Sequence, residues 1–294
     1  MSAEASDQSV PAQSGEKEQP NTPPDVSQVT KSVRSVTMNN VFLGDLGEEI
    51  VTLCVGTKRK AFRVHQKLLC QSVDYFDKAF NCFKEGVDGV MYLPDDSPDA
   101  IGIFIDWLYR GDIPIKNTQS HLNNLVDVYI FAHKICLVTL KDKTMNTIRD
   151  LTRRYGLVDK HFIPNTEKVW TSTGEVCSGL LIFCVHITVH GMVLRSVEVG
   201  ESSSEFKPRK LCHDDMKTLW DLGKGSFKLF AKLLRMLEYE MQISPQLLDF
   251  TARREVFLKP EHVCWFHSHK RDDPCTLEGE HNEESKLEEF LEDI

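Results

Sequence analysis

A change of hydrophobic period at His65 limits what this chain can fold into more than any other feature of the sequence. Before it, Val51–Val55 alternates apolar with polar side chains and is rich in β-branched residues. After a turn over Gly56–Arg59, Ala61–Val64 repeats that alternation. Two short alternating runs joined by a glycine-containing turn predict a β-hairpin, and from His65 onward the apolar residues follow helical spacing instead.

The segment after the hairpin is predicted to be mainly helical. One helix is predicted from His65 to about Asn81, because apolar side chains recur there at helical spacing. Another is predicted to begin after Ser97, a favourable N-cap, and to end at Gly111. The remaining predicted elements are a strand over Val90–Leu93 and helices over residues 121–137 and 139–155. This order predicts an α+β fold in which a small sheet packs against clustered helices.

The chain is predicted to have four parts. Its first residues are rich in Ser, Gln, Pro, Glu and Thr, a composition that cannot bury enough apolar surface to fold. Beyond Gly156, two segments carry apolar residues at helical spacing, residues 175–195 and residues 214–241, and the second is broken near Gly223. The predicted parts are a disordered segment 1–40, an α+β domain 41–155, a helical C-terminal extension 156–275 and an acidic tail 276–294.

Charge and cysteine content weigh against several classes of function. The formal net charge of −9 disfavours binding to nucleic acid through phosphate neutralisation. The nine cysteines are odd in number and dispersed, which indicates reduced thiols in an intracellular protein of the cytoplasm or nucleus. No secretory signal is expected, because no basic start precedes an apolar run. The apolar stretch Ser178–Leu194 contains two histidines and is predicted to be a core helix rather than a membrane span.

A series of short motifs between residues 51 and 140 resembles the BTB/POZ domain in order and spacing. The motifs are Val51–Gly56, Phe62–His65, Leu68–Leu69, Tyr75–Phe76, Ala79–Phe80, Leu93–Asp96, Trp107–Gly111 and Phe131–Lys134. The resemblance implies a BTB/POZ fold over residues 41–155 and a non-catalytic protein–protein interaction module that forms a homodimer. The short Pro94–Asp96 connection and the long helical extension make the chain most similar to single-BTB proteins of filamentous fungi.

Phe83-Lys84-Glu85 resembles a partner-binding motif of BTB adaptors. In adaptors that recruit cullin-type ubiquitin ligases, the loop after the first long helix carries a hydrophobic-x-Glu motif, and this tripeptide occupies the matching place. By resemblance, Phe83 would insert into the cullin surface and Glu85 would hold the loop in place. The alternative is an ordinary loop that ends a helix, with Phe83 folded inward.

The charged pocket of corepressor-binding family members has no counterpart at the matching positions. Those members use an Asp directly before the first strand and a basic residue directly after the His, where this chain has Ile50 and Gln66. Glu49 and Lys67 lie one residue away. Because neighbouring residues of a strand point to opposite faces, Glu49 is expected to be a poor substitute.

One candidate metal site stands near the C-terminus. Cys264, His267, His269 and Cys275 offer four nitrogen or sulfur ligands, the set that a structural zinc ion prefers. Their spacing matches no standard zinc finger. The alternative is a strand-like segment over Val263–Phe266 that leads into a polar turn.

Two other groups of residues contain chemically active side chains. His186 and His190 are four residues apart on one helical face and could hold a metal, but their apolar surroundings favour core histidines. Cys212-His213-Asp214 contains the residue types of a catalytic triad. Adjacent residues rarely face one another, so no catalytic role is expected.

The leading hypothesis is therefore a non-catalytic interaction protein that self-associates through its BTB domain and acts as a substrate adaptor for a cullin-type ubiquitin ligase. One alternative is a nuclear scaffold or a partner of transcription regulators without a ligase role. Another is a small metal-dependent enzyme that uses the Cys264–Cys275 cluster. No cofactor is expected apart from structural zinc at that cluster, and neither nucleic acid nor a membrane is an expected partner.

Overall fold

The structure is a computed structural model, and it describes residues 46–82, 88–174, 178–196, 211–243, 266–268 and 275. The predicted disordered segment 1–40 and the predicted acidic tail 276–294 lie outside these residues. The described part contains the predicted hairpin, the third strand and most of the predicted helices. The boundaries predicted between the four parts of the chain stay predictions.

A three-stranded sheet is built around one central strand. β1 (Ile50–Val55) pairs antiparallel with β2 (Lys60–His65), which confirms the predicted hairpin, and parallel with β3 (Val90–Leu93). The turn between β1 and β2 begins at Gly56, whose φ of +71° suits a residue without a Cβ. Alternate residues of β1, from Val51 to Val55, are buried, so one face of the sheet packs on the core.

Nine helices occur within the described residues. In chain order they are α1 (Gln66–Ser72), α2 (Asp74–Cys82), α3 (Pro98–Arg110), α4 (Gln119–Lys134), α5 (Val138–Tyr155), α6 (Asp159–Thr173), α7 (Gly179–Ser196), α8 (His213–Gly223) and α9 (Phe227–Ile243). The architecture is α+β, with a small sheet, helices clustered around it and a helical C-terminal region. This confirms the predicted fold class.

The single helix predicted from His65 to Asn81 is wrong, because Val73 divides it into α1 and α2. Val73 has an extended backbone (φ −142°, ψ 106°) and a buried side chain. Its carbonyl accepts a hydrogen bond from the amide of Phe76 at 3.0 Å, inside the first turn of α2. A β-branched residue favours this extended conformation. Burial of the Val73 side chain offsets the free energy lost by interrupting the helix.

The predicted start and end of α3 are confirmed, although the hydroxyl at its start makes no cap. Ser97 is the N-cap residue and Pro98 follows it at the first helical position, but the Ser97 side chain makes no capping hydrogen bond. At the other end, Gly111 has a φ of +72°, and its amide donates to the carbonyl of Trp107 at 2.7 Å. A glycine in the left-handed region thus ends this helix.

The sequence pattern missed α6, which contains Pro164. The predicted helical extension 156–275 includes Asp159–Thr173, but no separate helix was predicted there, and a proline inside a helix removes one backbone donor. Packing against α4 and α7 stabilises α6 nonetheless. The break predicted near Gly223 is confirmed, since α8 ends there, and a Cβ at Gly223 would overlap the ring of Phe230 on α9.

α4 connects the sheet-containing part of the chain with the later helices. It packs against α3, α5 and α6. Asn165 on α6 donates from Nδ2 to Asn123 Oδ1 on α4 at 3.0 Å, and Lys168 forms an ion pair with Asp127. The Tyr129 hydroxyl of α4 accepts a hydrogen bond from the Leu180 amide at the start of α7, at 3.4 Å.

α7 covers most of the stretch that required a membrane check. Among the described residues, no helix combines the length and the hydropathy that crossing a lipid bilayer requires. α7 instead packs against α6 and α9, and apolar residues such as Phe183 and Val189 are completely buried. The prediction of a helix buried in the protein core is confirmed.

Candidate functional site

An open groove lies where α1 and α2 meet the segment before β1. It has a volume of about 430 Å³. Its lining is mainly polar and carries both signs of charge. The lining residues are Gly47, Glu48, Glu49, Gln66, Lys67, Cys70, Gln71, Asp77 and Asn81.

Ile50 and Gln66 are the two positions at which the charged residues of corepressor-binding family members are replaced. Only one of them lies in this groove. Gln66 lines it, whereas Ile50 does not. Glu49 and Lys67, each one residue away, both line it. Glu49 and its neighbour Ile50 thus differ in orientation, as strand alternation predicts, and whether Glu49 can replace the missing acidic residue stays a prediction.

Phe83 and Glu85, the predicted cullin-binding residues, lie outside the described residues. What the structure describes is their position in the chain between α2, which ends at Cys82, and β3, which begins at Val90. Their predicted role is therefore untested. α2 itself is well anchored, because Phe76 and Phe80 are buried and their rings stack at 6.5 Å between centroids.

Two of the four predicted ligands near the C-terminus lie side by side. His267 Nδ1 is 3.3 Å from the Sγ of Cys275, and His267 Nε2 is 2.9 Å from Oδ1 of Asn146 on α5. Cys264 and His269 lie outside the described residues. The contact between His267 and Cys275 is compatible with a metal site and equally with a hydrogen bond from thiol to imidazole.

The short segment Phe266–Ser268 is anchored between α5 and α7. The ring of Phe266 is buried and meets the ring of Phe183 edge to face at 5.4 Å. The Ser268 amide donates to Asp142 Oδ1 on α5 at 2.9 Å. Gly179 at the start of α7 makes this approach possible, since a Cβ there would overlap the Phe266 carbonyl. The segment thus contributes to the core of the helical region.

His186 and His190 converge on one carboxylate of α9. His186 Nδ1 is 3.3 Å from Glu240 Oε1, and His190 Nδ1 is 3.5 Å from Glu240 Oε2. The two imidazole rings stack with centroids 5.7 Å apart and an angle of 24° between their planes. All three side chains are almost completely buried. The histidines are core residues, as predicted, but they share an acidic partner.

The two histidines determine the ionisation of Glu240. Burial acts to raise the pKa of the Glu240 carboxyl, but hydrogen bonds and positive charge from His186 and His190 outweigh it and hold that pKa below its usual range. The carboxylate is thus ionised deep in the protein. A buried charge of this kind is stable only with a compensating positive charge beside it.

Glu240 is a functional candidate that the sequence reasoning missed, although the sequence contained a signal. Leu229, Leu233, Met236 and Leu237 form the buried face of α9, and Glu240 continues the same spacing. An acidic residue on an apolar helical face is costly unless it has a partner. That position therefore pointed to a buried interaction, but only the fold reveals the histidines.

The Cys212-His213-Asp214 run does not form a catalytic arrangement. Cys212 is the N-cap of α8, and its sulfur accepts a hydrogen bond from the Asp215 amide at 3.4 Å. The Cys212 thiol donates to Asp215 Oδ2 at 3.1 Å, while His213 and Asp214 are exposed. These residues begin a helix, and the expectation of no catalytic role stays a prediction.

The outer surface of α8 and α9 carries large exposed apolar side chains. Phe227 is 83% exposed, Trp220 is 63% exposed and Met216 is 54% exposed. The ring of Trp220 meets that of Phe230 edge to face at 6.5 Å. Aromatic and Met side chains are enriched in protein interfaces. These exposed side chains therefore distinguish α8 and α9 from the buried helices.

Comparison with known families assigns the first half of the described chain. The family model of the BTB/POZ domain matches residues 48–150, which include the whole sheet and most of α5. Comparison with curated proteins gives no match. The similarity to single-BTB proteins of filamentous fungi stays a prediction. BTB/POZ domains are non-catalytic and mediate protein–protein interactions. This chain therefore contains a BTB/POZ domain at residues 48–150 and carries a protein–protein interaction module.

Proposed function

We propose that this protein self-associates through its BTB domain and serves as a substrate adaptor for a cullin-type ubiquitin ligase. The observation that carries the proposal is the match of residues 48–150 to the BTB/POZ family, together with a sheet and helices in the expected order. An interaction protein needs a stable scaffold that presents surface residues to partners. The apolar core under β1, α2 and α3 provides such a scaffold.

The ligase role rests on Phe83 and Glu85. They stand between α2 and β3, in the connection where the resemblance to adaptors predicts the cullin-binding motif. An aromatic side chain in a partner pocket with a charged residue beside it is the usual composition of an interface hot spot. Replacing both side chains is therefore expected to remove binding while leaving the buried face of α2 unchanged.

A pull-down with purified cullin scaffold tests this role. We expect wild-type protein to bind and the double variant Phe83→Ala/Glu85→Ala to lose binding by about tenfold or more, the effect of removing a hot spot. The matched control is Phe227→Ala/Glu238→Ala, which removes the same residue types from exposed positions on α9. Equal binding of wild type and the Phe83/Glu85 variant, or no binding by wild type, contradicts the ligase role.

The target of an adaptor must bind a second surface, and we place it on residues 156–294. This part contains α6 to α9, beyond the matched domain, and exposes Trp220 and Phe227. Cross-linking mass spectrometry on complexes of the full-length protein locates the target. Cross-links from the target concentrated on Lys217 and Lys228 support the assignment, whereas cross-links concentrated on Lys58 and Lys60 contradict it.

The same two experiments distinguish an adaptor from a scaffold. A protein that dimerises and binds a target through residues 156–294 but binds no cullin is a scaffold without a ligase role. A protein that binds cullin and loses it on substitution of Phe83 and Glu85 is an adaptor.

A further inference from the structure

The His186, His190 and Glu240 cluster has the composition and geometry of a metal site. We propose that these three side chains bind one divalent transition metal ion of the zinc class, and that this ion links α7 to α9. The site is independent of the BTB domain and of the Cys264–Cys275 segment. The proposal does not depend on the adaptor function.

The separations between the ligand atoms fit a tetrahedral ion. Bonds of about 2.0–2.2 Å from zinc to nitrogen or oxygen place neighbouring ligands about 3.3–3.6 Å apart in a tetrahedron. The two separations in the structure, from His186 Nδ1 to Oε1 and from His190 Nδ1 to Oε2, are 3.3 Å and 3.5 Å. One ligand atom from each residue lies within 4.8 Å of the others. Small side-chain rotations would bring all three atoms to a common centre.

The backbone fixes the positions of the ligands. His186 and His190 are four residues apart on α7, so both rings project from one helical face. Glu240 approaches from α9, which packs directly against α7. Both helices bury apolar residues around the cluster, including Val189 and Met236. A site held by two packed helices requires little reorganisation when an ion enters.

The charge balance of the cluster favours a cation. Imidazoles must be neutral to bind a metal, so in the metal-bound state the two histidines and one carboxylate would together carry one negative charge at a buried position. A divalent ion would neutralise this negative charge. The Nε2 atom of His190 also has no hydrogen-bond partner in the described part of the chain.

The donor atoms select the class of metal. Two imidazole nitrogens and one carboxylate suit Zn²⁺, Co²⁺ and Ni²⁺, whereas Mg²⁺ and Ca²⁺ require mostly oxygen ligands. Two histidines and one glutamate are also a known zinc ligand set that leaves a fourth position for water. Because the ligands are almost completely buried, we assign the ion a structural role in joining α7 and α9.

The first test measures metal binding by the full-length protein without an affinity tag. Protein depleted of metal with a chelator is titrated with Co²⁺, and the visible absorption reports tetrahedral coordination. We expect one ion per chain, with no sulfur-to-cobalt charge-transfer band, because the site contains no cysteine. Failure to bind Co²⁺ or Zn²⁺ overturns the proposal. A strong sulfur-to-cobalt band overturns it as well, since the ion would then be bound by cysteine.

The second test uses three variants with the same titration. Glu240→Gln keeps the size of the side chain but removes its charge, and we expect Co²⁺ affinity to fall by more than about 100-fold. His121→Gln, a buried histidine on α4, is the matched control and should bind normally. Cys275→Ser should also bind normally.

The variants give a decision even if one of them fails to fold. Far-UV circular dichroism identifies folded variants. Metal lost in folded Glu240→Gln and kept in Cys275→Ser supports the site, and the reverse result overturns it. If Glu240→Gln does not fold, the decision rests on the wild-type spectrum, in which tetrahedral Co²⁺ without the sulfur band supports the site and any other result overturns it.

Discussion

The sheet-containing part of the molecule and the later helices have cores of different chemistry. Among the described residues, every buried side chain before His121 is apolar, whereas α4 to α9 bury many polar and charged side chains. An apolar core stabilises a fold without specific partners, but a buried polar side chain requires a matching group. The sheet-containing part before His121 therefore has a core that needs no specific polar contacts, while the helical half, α4 to α9, also depends on particular contacts.

Aromatic rings fill the core of the sheet-containing part and extend to α4. The ring of Phe76 stacks on that of Phe104 at 6.0 Å, and Phe104 meets Phe131 of α4 edge to face at 5.3 Å. Each of these side chains is almost completely buried. Aromatic pairs add to the free energy that area burial alone provides. Such a core can hold exposed binding residues in position while partners bind and dissociate.

Two kinds of buried polar contact occur in the helical half. Thr144, Thr152, Thr166 and Thr173 each donate to the carbonyl four residues earlier in the same helix, at 2.7–3.1 Å. These hydroxyls are satisfied locally and require no other element. The second kind joins different elements, as Glu240 does with the histidines of α7. Only this second kind can form a site.

The largest expected effect is the loss of a central ring from the BTB core. Phe104→Ala removes a completely buried side chain and leaves a cavity, so we expect the free energy of unfolding to fall by about 3–5 kcal/mol. Urea denaturation followed by tryptophan fluorescence measures it. Phe227→Ala, at an exposed position, is the control and should change stability by less than about 0.5 kcal/mol. A loss below about 1 kcal/mol for Phe104→Ala would contradict an apolar core that carries the stability.

The next largest effect tests whether the cluster of His186, His190 and Glu240 is a binding site or a part of the core that the fold needs for its stability. Glu240→Leu leaves two buried imidazoles without their carboxylate, and we expect metal-free protein to lose about 3 kcal/mol. Replacing His186, His190 and Glu240 together by leucine removes the buried charges, so we expect stability equal to or above that of metal-free wild type.

Chemical denaturation of metal-free wild type and both variants measures these differences. A triple variant that is less stable than Glu240→Leu would mean that the cluster stabilises the helical half without metal. In that case the distinction between the two cores would fail, because the polar contacts would carry stability as the apolar ones do.

A smaller effect concerns the contact between α4 and α6. Asn165→Ala removes a buried donor on α6 and leaves Asn123 Oδ1 without that bond, so we expect a loss of about 1–2 kcal/mol. Asn81→Ala is the control, because Asn81 is exposed and its bond to Asp77 lies within one helix. Thermal unfolding monitored by circular dichroism compares the two. Equal effects would show that α4 and α6 do not depend on this contact.

The smallest expected effect on stability at neutral pH comes from the ionisation of the Cys184 thiol. Burial raises the pKa of Cys184 to about 12, from an ordinary value of 9.0. Because the folded state holds this proton more tightly than the unfolded state does, stability is unaffected below pH 9 and decreases as pH rises from about 9 towards 12.

Thiol labelling with a chromogenic disulfide at pH 8 checks the same burial. We expect the exposed Cys82 and Cys136 to react in the native protein, whereas Cys184 reacts only after unfolding. Peptide mass spectrometry identifies the labelled residues. Rapid labelling of Cys184 in the native state would contradict a closed core around α7.

The sequence predicted local structure well where one physical preference dominated. Alternation in Val51–Val55 predicted β1, and Gly111 predicted the end of α3. It failed where tertiary packing outweighed a local preference. Val73 interrupts a run of helical periodicity, and Pro164 lies inside a helix that packing stabilises. Both outcomes depend on residues distant in the chain, which a local pattern does not contain.

The candidate sites show the same limit. The spacing of His186 and His190 was visible in the sequence, but Glu240 stands 50 residues after His190. Only the packing of α9 on α7 brings it to them.

Light scattering on the full-length protein tests most directly whether the BTB domain acts as a self-associating interaction module. The account predicts a molar mass of twice the 33.6 kDa of one chain at micromolar concentration. A dimer that survives dilution and is unchanged in Phe83→Ala/Glu85→Ala agrees with association through the domain rather than through the predicted cullin motif. A mass of one chain throughout the micromolar range would contradict it.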